Sequence, residues 1–91
     1  MLLARVIGNV VATRKEESLV GFKLLLVQEL HPADSNENGK SLVAVDTLGA
    51  GRGDVVLVVR GGGARVVSEM HRGAPVDASI VGIVDTVDVF E

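Results

Sequence analysis

No cysteine occurs in these 91 residues, and no tryptophan or tyrosine. The missing thiols exclude a disulfide framework and any thiolate-held metal. The aromatics are only Phe22 and Phe90, too few for the base-stacking platform of a single-strand nucleic-acid binder. Positive charge is not in excess either. Nine Lys and Arg stand against twelve Asp and Glu, a formal net charge of -3, which attracts neither a phosphate backbone nor an anionic bilayer. Apolar runs such as residues 55–59 fall far short of the ~18 residues of a membrane span. The opening Met1-Leu2-Leu3-Ala4-Arg5 leads straight into patterned sequence. It lacks the basic start, apolar stretch and cleavage site of a secretory signal. The expectation is a cytoplasmic chain with no membrane and no nucleic acid among its partners.

What the chain does have is Val, Leu and Gly. Hydrophobic residues make up 47% of it and glycine accounts for 11 positions. The length fits one domain, residues 1–91, with a thin core: a chain this short buries only about 60–65% of the surface it exposes when unfolded. Its β-branched content and frequent turn residues favour short strands. Residues 2–13 read as the first, with Leu2, Ala4, Val6, Gly8, Val10 and Ala12 on one face and a mixed set on the other. Gly8, in mid-strand, is the kind of position where a barrel strand bends or bulges. Further strands are expected at 22–30, 41–47, 55–60 and 78–90, with a solvated loop at 31–40 and a short helix within 61–67. The predicted architecture is all-β, a small five-stranded OB-like β-barrel with one short helix.

Three segments, 24–27, 55–59 and 80–84, are apolar at every position or nearly so. An isolated antiparallel barrel should alternate, with one face to the core and the other to water. Either loops and the short helix cover the second face or neighbouring subunits do. A chain of this length has little spare polypeptide to act as a cover, which favours subunits.

The motifs that resemble chemistry have simpler readings. Gly49-Ala50-Gly51-Arg52-Gly53-Asp54 invites a nucleotide, but a phosphate loop opens a helix and ends in Lys followed by Ser or Thr. Here the glycines run directly into a strand, as a tight turn with positive φ would. Gly61-Gly62-Gly63-Ala64-Arg65 has two readings: an anion site at a helix start, or a sharp corner with close backbone approach, the second being favoured. His31 and His71 stand alone in polar loops without metal-ligand spacing. Ser18, Ser35, Ser41, Ser68 and Ser79 lack a nucleophile elbow. Asp85 and Asp88 read as outward strand residues. No catalytic constellation, cofactor site or metal site emerges. A structural assembly protein is the leading class, and an OB-like binding module for an oligonucleotide or peptide is the alternative.

Taken together, several segments carry a family signal. They are Leu3-Ala4-Arg5-Val6-Ile7-Gly8, Val10-Val11-Ala12-Thr13, Leu19, Gly21, Lys23-Leu24-Leu25-Leu26-Val27, Val45-Asp46 with Gly49 to Asp54, Val56-Leu57-Val58, Gly61 with Ala64-Arg65, and Pro75-Val76-Asp77-Ala78 leading into Ile80 to Asp85. In order and spacing the chain resembles the pentameric vertex proteins of bacterial microcompartment shells. The resemblance implies a five-stranded barrel in a homopentameric ring that closes the corners of a polyhedral shell. Its implied partners are identical subunits and the hexameric shell proteins, with no cofactor and no reaction. It departs at Gly62 and Gly63, where many relatives carry serines. Candidate subunit-interface residues are Gly49, Gly51, Gly53, Asp54, Gly61, Ala64, Arg65 and Asp77. Arg65 is expected to reach an acid of the adjacent subunit, with Asp46, Asp54 and Asp77 as its candidate partners, in a pair that fixes register more than it adds stability.

Overall fold

The computed structural model describes residues 1–13, 21–31, 39–61 and 77–90. Five strands form where β-branched and leucine-rich stretches lie between turn residues: β1 Leu2–Val10, β2 Lys23–Glu29, β3 Ser41–Asp46, β4 Val55–Arg60 and β5 Ala78–Val84. They close into a barrel in the order β1-β2-β3-β5-β4. The pairing of β1 with β4 shuts it, Leu2 opposite Val58 and Arg5 opposite Val55. Every pairing is antiparallel except β3 with β5, which meet over Val45–Ser79 and Asp46–Ile80.

The interior is filled by alternate residues of all five strands. Ala4, Val6, Leu25, Val27, Ala44, Val56, Val58, Ala78 and Ile80 are buried together, with Ala50 contributed by the β3–β4 connection. A barrel of five strands is narrow, and the alanines leave room for Leu25 and Ile80, the largest side chains at its centre.

Two bulges shape the wall. On β1 the register slips between Val6, opposite Val27, and Gly8, opposite Leu26, leaving Ile7 as the extra residue. The slip reverses the facing of everything after it. Leu2, Ala4 and Val6 lie on the core side as the alternation predicts. Gly8 and Val10 are paired with Leu26 and Leu24 instead, and those two alternate with the buried Leu25 and Val27. They therefore lie on the outer side. A Cβ placed on Gly8 would sit 3.7 Å from the Leu26 Cβ, consistent with that side. The second bulge leaves Val81 as the extra residue, since Leu57 faces Gly82 while Val58 faces Ile80.

Two predicted strands are too long. β1 stops at Val10, not Thr13: Val10 pairs with Leu24, and only Lys23 remains of β2 beyond it. β5 stops at Val84, not Phe90, because Val84 pairs with Val55, the first residue of β4. Strand-forming side chains do not extend a strand whose partner has ended. Asp85 and Asp88 are exposed as expected, but outside any strand. Among the described residues there is no helix, and of the predicted helix only Gly61 is described, as a turn. The remainder of that segment lies outside the described residues, as do His71, Ser18, Ser35 and Ser68.

The outer face is apolar too. Leu24 and Val45 lie opposite each other on it, packed with Phe22 and Val59 into a cluster separate from the core. Leu3, Leu26, Val55, Leu57 and Val84 are half-buried on the same side. The doubly apolar strands expected from the sequence are present.

Candidate assembly surface

Asp46 ends β3 with its side chain wholly removed from solvent. The next residues turn back over it. Its Oδ1 accepts the Leu48 N–H at 3.0 Å and its Oδ2 accepts the Ala50 N–H at 2.9 Å. Asp favours this kind of local bond to backbone amides. Lys23, its register partner on β2, donates from Nζ to the Ala50 carbonyl at 2.6 Å and stands 3.9 Å from Asp46 Oδ2. The result is a bracket that presses Ala50 into the barrel, where it is fully buried.

The rest of the corner is tied the same way. The Gly51 N–H donates to Asp54 Oδ2 at 2.8 Å, and the Asp54 N–H to the Gly51 carbonyl at 3.0 Å. The Gly53 N–H reaches the Val6 carbonyl, the Val6 N–H reaches the Asp54 carbonyl, and Arg5 Nη1 donates to the Gly53 carbonyl at 3.1 Å. Gly49 and Gly53 adopt φ of 87° and 85°, where a side chain would be strained; Gly51 does not. The amides of Leu48, Ala50, Gly51, Gly53 and Asp54 are thus all spent within the chain. A phosphate cradle needs such amides free. This corner is a tight turn closed on its own amides.

Gly61 marks the other corner, with φ of 69° and its N–H on the Asp77 carbonyl at 2.7 Å. It follows β4, whereas the Gly49–Asp54 corner precedes it, so the two candidate groups sit at opposite ends of that strand, roughly 20 Å apart at the usual rise per residue. Ala64 and Arg65 lie outside the described residues. Of the acids proposed to meet Arg65, Asp46 is buried and bonded to its own loop, and Asp54 holds Gly51. Asp77 is exposed.

Sequence reasoning missed the structural weight of Asp46 and Lys23. The available signal was an Asp two and four residues ahead of turn amides, at a strand end. It also missed how much apolar surface stands open. Val11 is 87% exposed, Leu48 50% and Phe90 92%, and Ile7, Val43 and Ile83 are exposed as well. Two open clefts lie at the far end of β1. One, of about 350 Å³, is lined by Asn9, Val10, Val11, Phe22, Lys23 and Leu24. The other, of about 220 Å³, is lined by Val6, Ile7, Gly8, Asn9 and Arg52. Among the described residues no group of three His, Cys, Asp or Glu is placed to hold a metal ion. A surface of this kind is fitted to burying apolar area against protein.

A family model described as "Ethanolamine utilisation protein EutN/carboxysome" matches residues 1–85. This chain belongs to the EutN/CcmL family. The shell vertex protein GrpN of Rhodospirillum rubrum is 47% identical over 88 residues, covering 97% of each chain. The carboxysome shell vertex protein CcmL of Synechocystis sp. is 48% identical over 94 residues, covering 98% of this chain and 87% of that one. Solved structures of the EutN/CcmL family carry the same barrel. The structure of GrpN from R. rubrum, a pentameric microcompartment shell protein, matches at a TM-score of 0.86 and 45% identity over all of both chains. CcmL of Gloeobacter violaceus matches at 0.91 and 44%, over 98% of this chain and 90% of that one. The fold and the family expected from the sequence both hold.

Proposed function

We propose that this protein is a structural shell component whose copies form a homopentamer capping the vertices of a polyhedral bacterial microcompartment in the cytoplasm. One observation carries the reading. A pentameric microcompartment shell protein shares the fold over the full length of both chains at 45% identity, close enough for interfaces as well as core to be inherited. The physics of the single subunit agrees. Its barrel is apolar outside as well as inside, and such a wall is stable in water when a neighbour covers it. The ring's partners are identical subunits and the hexameric shell proteins. Six-fold tiles alone make a flat layer, and five-fold units introduce the curvature that closes it. The role is mechanical, with no reaction and no cofactor.

Native mass spectrometry tests the ring. The expected species has five times the 9.5 kDa of the chain. A 9.5 kDa monomer that shifts on adding a single-stranded oligonucleotide or a peptide would replace this reading with that of a binding module.

A further inference from the structure

Residues 85–90, Asp-Thr-Val-Asp-Val-Phe, follow the last residue of β5 and are exposed at every position. Their composition is that of a strand, with apolar and acidic residues interspersed. Val87 is 46% exposed, Val89 54% and Phe90 92%. An aromatic left this open is a candidate anchor for another surface.

A complementary surface exists on the same chain. The two clefts at the far end of β1 share Asn9. Between them they present Ile7, Val10, Val11 and Leu24 as apolar lining, and the side-chain-free Gly8 leaves space on the outer wall. A cation stands at each end: Arg52, exposed, in one cleft and Lys23, with a side chain 48% exposed, in the other. Six extended residues span about 20 Å, enough to cross both. Tail and trough match in apolarity, and their charges are opposite. A cyclic ring requires such a pair, because each subunit must meet its neighbour through two different patches that fit one another.

We infer that segment 85–90 of one subunit docks as an extended arm in the Asn9 trough of its ring neighbour, Val87 and Val89 on one face of the arm and Phe90 on the other meeting the apolar walls of the trough, with Asp85 and Asp88 toward Lys23 and Arg52. This inference rests on the ring proposed above.

The absence of native cysteine makes a clean test. Val11→Cys is combined with Val87→Cys or with Val89→Cys, and the assembled protein is oxidised with its native mass read in parallel. Docking between neighbours gives a covalent ladder up to five chains on a denaturing gel, in at least one of the two pairings, and none in the single-cysteine controls. An intact ring with no ladder, or with a bond only within single chains, overturns the arm while leaving the ring standing. A monomeric native mass overturns the ring itself and the arm with it. As a second measurement, Phe90→Asp should raise the concentration at which the ring dissociates by about tenfold or more, the scale of losing one anchor. Unchanged ring stability overturns the arm.

Discussion

Asp46 shows how much one side chain does in a barrel this small. Its two oxygens hold two turn amides, and those bonds seat Ala50 in the core. Asp46→Ala would leave both amides without acceptors, one of them in a buried bond. A buried group left unsatisfied costs about 1–3 kcal/mol, so the substitution should lower subunit stability by about 2–4 kcal/mol. That is a large share of the ~5–15 kcal/mol of a typical domain. Urea denaturation reads it as a lower midpoint at unchanged slope; an unchanged midpoint would remove Asp46 from the bracket. Lys23 contributes less, since its side chain is about half exposed and water screens it. The sequence showed an Asp at a strand end before a glycine-rich turn. That the carboxylate is buried, and so unavailable to a neighbour's Arg65, follows only from where the turn folds.

Among the strands, β4 was legible at both ends, because Asp54 and Gly61 punctuate it. β1 and β5 were read too long. Val11 to Thr13 and Thr86 to Phe90 have strand-forming composition, but the strands beside them end first. Pairing is a property of two segments, and one segment's composition does not report where the other stops. The bulge at Ile7 is the same lesson in a different form. Gly8 flagged the place, but the reversal of facing beyond it depends on a register slip against β2. The consequence can be measured by comparing Gly8→Val with Ala4→Leu. Ala4 is completely buried, and a larger side chain there should overpack the core by about 1–3 kcal/mol. Gly8 faces outward, so valine there should change the thermal midpoint of the isolated subunit little. Equal losses at the two positions would place Gly8 inside the barrel and contradict the bulge.

For the whole molecule, the wall that is apolar on both sides makes stability depend on assembly. Subunits bound only in the folded state stabilise that state by mass action. The melting temperature of the wild-type protein should therefore rise with protein concentration, and the dependence should flatten when the arm is cut after Val84. A melting temperature independent of concentration would mean that the folded subunit gains nothing from its neighbours. The two glycine corners lie at opposite ends of β4, so a ring interface that used both would have to run the length of the barrel wall.

By itself the sequence determined the strand content, the small interior and the family, because these depend on residue type and order along the chain. The requirement for a cover over a second apolar face was readable as well, since it needs only the failure of strands to alternate. The tertiary structure decided which glycines turn and which marks a bulge, which acid is buried, where β1 and β5 stop, and that residues 85–90 are exposed beyond β5. Each of these depends on which strand lies beside which and in what register, and that relation is set by segments far apart in the chain.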